Sequence, residues 1–258
     1  GSKNVAVIEL LAAVGDSVAK DQGLITVESE KATMEVPSSA AGTLVYNAGG
    51  MHEDSGGVLT RMDRQGRLQP IEMDEGSYLA ARFSPDGNRI LGFTGGSRQA
   101  IWVYDLGRRT FTRLPFDGEA AWPLWTPDGK NIVFSGRTTT AGDALYQMSA
   151  DGSGRAAPLP GFDGAGYPSD WSHDGEELVY VETAAGAPSI HAFSLSGKTT
   201  RVLVQMDKGG AGYAAVSPDG RWLAYATNEG GRGEVFVQPY AGGARTPVSA
   251  HGGHSPRW

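Results

Sequence analysis

The chain has 258 residues, 40% of them hydrophobic, with 38 glycines, six tryptophans and nine tyrosines. That is long enough to bury a sizeable core, in one large domain or one domain plus an appendage. A formal net charge of −7 and the lack of a long Lys/Arg run exclude an extended phosphate-tracking surface, so no nucleic-acid partner is expected. There is no cysteine, which excludes disulfides, thiolate zinc sites and Cys nucleophiles. No apolar stretch approaches the ~18 residues that span a bilayer, so no membrane partner is expected either.

Gly1-Ser2 reads as a cloning remnant, with no signal peptide visible after it. Val5 to Leu11 predicts a strand, Val14-Gly15-Asp16-Ser17-Val18 a turn, and Leu24 to Glu28 a second strand. Then comes Glu28-Ser29-Glu30-Lys31-Ala32-Thr33-Met34-Glu35-Val36-Pro37-Ser38. An acidic-Lys-Ala tip, with a Val-Gly-Asp turn before it and Met-Glu-Val-Pro-Ser after it, resembles the lipoyl domain of bacterial dihydrolipoamide acyltransferases. The resemblance covers about Lys3 to Gly42. It implies that residues 1–41 are half of a barrel-sandwich, with Lys31 at the lipoylation position and lipoate as its cofactor. The plain alternative is an exposed lysine at a hairpin tip. The second half of such a sandwich is missing, so Val5, Val7, Ile8, Leu10, Leu24, Ile25 and Val27 need cover. The rest of the chain supplies it, or a second copy does, which would make a homodimer through the lipoyl-like half.

From residue 42 onward the sequence repeats. Ser84-Pro85-Asp86-Gly87 returns as Thr126-Pro127-Asp128-Gly129, Ser172-His173-Asp174-Gly175 and Ser217-Pro218-Asp219-Gly220, with the aspartates 42, 46 and 45 residues apart. A period of about 40–45 residues with one turn phrase per unit predicts a β-propeller of four-stranded blades. Strands are labelled A to D from the channel outward, with Asp-Gly making the A–B turn. Blades are then expected over residues 78–115, 121–160, 167–204 and 212–249. Residues 42–72 match strands B, C and D without an A. Trp258 stands where Trp125 and Trp171 stand, so residues 254–258 are expected to supply the missing A strand. The expected fold class is therefore all-β: a five-bladed propeller closed by strands from both termini, Trp258 and Leu44 sharing one ladder. A truncated six-bladed ring is the rival. Closure matters because it removes an open sheet edge.

The four Asp-Gly phrases, Ile101-Trp102-Val103-Tyr104-Asp105-Leu106, Met62-Asp63-Arg64-Gln65-Gly66-Arg67, and the run from Ala226 to Val237 resemble TolB-like, WD-repeat-like propellers. Among such propellers the resemblance is notably to those in the sensor regions of bacterial serine/threonine kinases. The resemblance covers about Gly42 to Trp258 and implies protein or peptide binding without defined catalytic residues. The whole chain looks like a chimera, engineered or accidental. Its compartment stays open: cytoplasmic as expressed, with an extracytoplasmic parent for the propeller.

Three readings of function follow. The first is a non-catalytic binding module for a protein, peptide or small molecule at the channel mouth, where Trp122, Tyr167 and Tyr213 start their A strands and either stack on a ligand or pack between blades. The second is a metal-assisted hydrolase of esters or phosphoesters. Asp74, Asp117, Asp163, Asp207 and His251 hold nearly equivalent D-to-A positions, with His254 close by, and a closed ring would gather them around a divalent cation. Ordinary Asx turns explain the same aspartates. The third is an acyl carrier on Lys31. No Gly-x-Ser-x-Gly elbow or His-Glu-x-x-His pair is present.

Overall fold

The computed structural model describes residues 6–10, 23–29, 32–37, 44–48, 58–62, 67–71, 78–95, 99–139, 142–183, 186–249 and 252–258. All regular structure among the described residues is β. Strands β1 (Ala6–Leu10), β2 (Gly23–Ser29) and β3 (Ala32–Pro37) form an antiparallel sheet of their own. The β2–β3 ladder runs from Gly23 opposite Pro37 to Ser29 opposite Ala32. Lys31 lies outside the described residues.

A second three-stranded sheet holds β4 (Leu44–Ala48), β5 (Val58–Met62) and β6 (Leu68–Pro70). Four four-stranded antiparallel sheets follow, one for each turn phrase. The first contains β7 (Tyr78–Phe83), β8 (Arg89–Thr94), β9 (Ile101–Asp105) and β10 (Thr110–Arg113). The second contains β11 (Glu119–Trp125), β12 (Asn131–Thr138), β13 (Gly142–Ser149) and β14 (Ala157–Pro158). The third contains β15 (Gly166–Trp171), β16 (Glu177–Glu182), β17 (Ser189–Ser194) and β18 (Thr200–Val204). The fourth contains β19 (Ala211–Val216), β20 (Trp222–Thr227), β21 (Glu234–Pro239) and β22 (Thr246–Pro247). Each is an A-to-D meander in chain order, as the repeat predicts.

The turn phrase builds itself the same way each time. The hydroxyl of Ser84, Thr126, Ser172 or Ser217 accepts the amide N–H five residues on, at 2.9–3.0 Å. It donates to the turn aspartate at 2.5–2.6 Å. The closing glycine has φ between +66° and +75°, a left-handed setting that a Cβ disfavours. Neighbouring turns also touch, since a Cβ on Gly129 or Gly175 would lie 3.3 or 3.1 Å from Pro85 or Pro127 of the preceding turn. Asp86, Asp128, Asp174 and Asp219 are therefore turn formers.

The core lies between sheets rather than within them. Leu59 and Ile71 pack with Tyr78, Ile90 and Trp102, joining the β4–β6 sheet to the first complete blade. Leu91 and Phe93 pack with Trp125, Ile132 and Phe134, joining the first blade to the second. Leu124 and Val133 meet Trp171 and Leu178 between the second and third, and Val179 and Ile190 meet Val216 and Leu223 between the third and fourth. Strands B and C carry these side chains, whereas an outer strand such as β10 is exposed throughout.

The expected ladder between Trp258 and Leu44 is not formed. Leu44 pairs with Met62, β4 has no second partner among the described residues, and Trp258 belongs to no strand. In the complete blades a short Asp-Gly hairpin holds A against B; Trp258 and Leu44 have no such turn between them, and closing a long loop costs more entropy. The tail still copies the inner-strand backbone. Ser255 has φ +52°, matching Ala80 (+52°), Trp122 (+54°) and Tyr213 (+53°) at the equivalent place in the first, second and fourth blades. Trp258 Nε1 donates to the Ala215 carbonyl at 3.0 Å, as Trp125 does to Arg82 (3.3 Å) and Trp171 to Trp125 (2.7 Å).

Candidate functional site

The inner strands β7, β11, β15 and β19 each carry a register shift within the five residues before the turn phrase. A bulge there bends the strand and re-aims its side chains. At the D-to-A end of the channel this gathers an aromatic group. Trp122 stacks on Tyr167 with ring centroids 5.1 Å apart and meets Tyr213 edge-on at 6.1 Å. Phe93 backs Trp122 at 5.4 Å, and His254 of the tail sits 6.5 Å from Tyr213.

Beside this group opens a cavity of about 540 Å³ lined by Tyr167, Pro188, Gly209 to Tyr213, Thr227, Asn228, Gly233 and His254 among others. Gly212 brings the wall close, as a Cβ there would stand 2.9 Å from the Tyr167 hydroxyl. Burial, then the neighbouring Tyr213, pushes the Tyr167 phenol up to about 12, so it stays a neutral donor at physiological pH. Asn228 Oδ1 accepts the Gly210 N–H at 2.7 Å and fixes the rim. The arrangement offers ring faces for stacking, a few placed polar groups and an open mouth, which suits recognition of an apolar or aromatic side chain.

The cation ring expected from sequence is not assembled among the described residues: no three His, Asp or Glu side chains come together. Asp117, Asp163, Asp207 and His254 are each exposed, and Asp74 and His251 lie outside the described residues. His254 lies beside the Tyr213 ring. His191, on a C strand, is packed: Nε2 meets the Ser189 hydroxyl at 2.8 Å, the ring lies 5.5 Å from Tyr180, and burial lowers its pKa. Among the described residues no helix is long and apolar enough to cross a membrane.

Sequence reasoning missed a second group, at the other end of the channel. Two residues before the turn phrase stand Arg82, Leu124, Asp170 and Ala215, with Arg257 at the matching place in the tail. Arg82 Nη1 crosses from the first blade to donate to the Ser169 carbonyl of the third at 3.0 Å. Asp170 accepts the N–H groups of Trp171 (2.9 Å) and Val216 (2.8 Å). Aligning the repeats on the turn phrase and reading that column would have found the two arginines and the aspartate.

The family described as TolB beta propeller domain matches residues 51–258, and the one described as Biotin-requiring enzyme matches residues 1–50. The Tol-Pal system protein TolB of Anaeromyxobacter dehalogenans (strain 2CP-C) is 34% identical over 99 residues, 37% of this chain and 22% of that protein. The dihydrolipoyllysine-residue acetyltransferase component of the pyruvate dehydrogenase complex of Buchnera aphidicola subsp. Baizongia pistaciae is 52% identical over 44 residues, 17% of this chain and 11% of that protein. The chain thus spans under a quarter of either relative. The crystal structure of TolB from Acinetobacter baumannii superposes with a TM-score of 0.67 at 16% identity, covering 90% of this chain and 67% of that one. The chain is chimera-like, a lipoyl-like segment joined to a propeller.

Proposed function

We propose, since this chain belongs to the TolB β-propeller domain family, that it is a non-catalytic binding module that takes a protein or peptide side chain at the D-to-A mouth of its channel. The observation that carries this reading is the 540 Å³ cavity beside the Trp122–Tyr167 stack. An aromatic guest would extend that stack, and such contacts contribute about 0.5–1.5 kcal/mol each beyond area burial. In this reading the ring has five blades, the tail serving as inner strand of the β4–β6 sheet. The left-handed Ser255 and the Trp258 tie to Ala215 support that closure.

The test is selection of a displayed random peptide library on the immobilised chain, followed by affinity measurement on the enriched peptides. Enriched sequences should carry an aromatic residue, and Tyr213→Ala should weaken them about tenfold, the equivalent of about 1.4 kcal/mol. Peptides that bind Tyr213→Ala and Asn228→Ala as well as the parent chain would place the site elsewhere.

A further inference from the structure

The far end of the channel holds more positive charge than negative. Arg82 and Arg257 both act on Asp170, and among the described residues neither guanidinium has a carboxylate within ion-pair distance. Asp170 makes no close ion pair with either among the described residues; its oxygens accept the backbone N–H groups of Trp171 and Val216. A guanidinium has five N–H donors. Arg82 has one hydrogen bond, to the Ser169 carbonyl, and its Nε is buried with no partner. Arg257 has one, to the carbonyl of its neighbour Pro256 at 3.1 Å.

An unpaired buried donor is costly, and more so when charged, so native structures rarely leave one without a purpose. Arg82 is enclosed by surrounding atoms yet keeps part of its surface accessible, as a side chain lining an internal space does. Burial, then repulsion by Arg257, draws its pKa down to about 9 while Asp170 pulls the other way. Arg257 is exposed, so a second anion would relieve the repulsion and the unmet buried donor of Arg82. The planar fork of arginine matches a carboxylate in a bidentate pair.

We infer that Arg82 and Arg257, steadied by Asp170, form a carboxylate-binding site at the turn-phrase end of the channel. It takes one carboxylate, from a free small acid or from an acidic side chain of a peptide entering the ring. This goes beyond the mouth reading and uses none of its residues. Failure here leaves the Tyr213 test untouched.

The experiment is thermal unfolding of the whole chain in chloride-free buffer at pH 7 with increasing sodium acetate, ionic strength held constant with sodium methanesulfonate. Binding to the native state raises Tm in a saturable way. Arg257→Gln sits in the tail and should fold; it is expected to lose most of the Tm rise, while Arg257→Lys keeps part of it. A capped tripeptide with a central Glu, compared with its Gln twin, separates the two sources. A rise with the Glu peptide alone assigns the site to peptides, and a rise with acetate assigns it to small acids. No saturable rise with either, an equal rise in Arg257→Gln, or an equal rise with chloride in place of acetate would overturn the assignment.

Discussion

Two buried tryptophans give the sharpest test of how the ring is held. Trp171 Nε1 donates to the Trp125 carbonyl at 2.7 Å, a bond from the third blade to the second. Trp102 is fully buried, and its Nε1 has no hydrogen-bond partner. Its neighbours are ring faces: Tyr78 edge-on at 5.4 Å and Phe111 stacked at 5.7 Å. Replacing either tryptophan by Phe removes a similar volume, worth about 1–2 kcal/mol of packing. In Trp171→Phe the Trp125 carbonyl also loses its donor, adding about 1–3 kcal/mol. In Trp102→Phe the substitution removes an unsatisfied N–H instead, returning about the same amount. Trp171→Phe should therefore cost about 2–5 kcal/mol, and Trp102→Phe close to nothing. At about 2–4 °C per kcal/mol for a domain of this size, Tm should fall by several degrees in the first variant and stay nearly fixed in the second. Urea unfolding followed by circular dichroism, with m-values compared, measures both. Equal losses, or a larger loss in Trp102→Phe, would show that the indole N–H bonds do not tie blade to blade.

The turn aspartates give a pH signature. Hydroxyl donation, then a backbone N–H, lowers the pKa of Asp86, Asp128, Asp174 and Asp219 below 3.8, and two serine hydroxyls and the Ser153 N–H hold Asp151 at about 2. The stability they contribute is fully present above pH ~4 and is lost as pH falls through the lowered native values, so an acid titration of Asp219→Asn should be flatter below pH ~4 than that of the parent. Calorimetric titration with calcium, manganese and zinc should give no heat; heat that disappears in His251→Ala would restore the cation ring. Intact-mass measurement should find Lys31 unlipoylated. Light scattering should give twice the 27.1 kDa chain mass if the lipoyl-like half pairs with a second copy; a monomer would remove that interface.

Local chemistry made the propeller legible and hid its lining. Strands B and C are short, nearly continuous apolar runs buried on both faces, so they stand out in the sequence. The turn phrases are self-contained networks of hydroxyl, carboxylate and backbone N–H, so four residues suffice to announce them. Inner strands are harder. Their bulges shift the alternation, so β11 begins at Glu119 where the pattern suggested Trp122, and β19 at Ala211 where it suggested Tyr213. A left-handed Trp122 or Tyr213 leaves no trace in residue type, because neither is a glycine or an asparagine. The aromatic mouth was readable as a candidate, whereas its coexistence with interblade packing was not. The charged column at Arg82, Asp170 and Arg257 shows only when the repeats are aligned on the turn phrase, since the four complete blades each place a different side chain there. The tail shows the limit of matching by position: its backbone follows an inner strand, yet its ladder depends on a distant partner.

A wheel of like units would accept a guest equally well in any of its rotational settings, and a ligand would be smeared over all of them. That degeneracy is gone here. From blade to blade the residue two before the turn phrase is Arg82, Leu124, Asp170 or Ala215, and the third blade has Pro168 where the other three carry a left-handed residue. A guest that reaches Arg82 and Asp170 meets unlike spokes, which favours one azimuth over the rest.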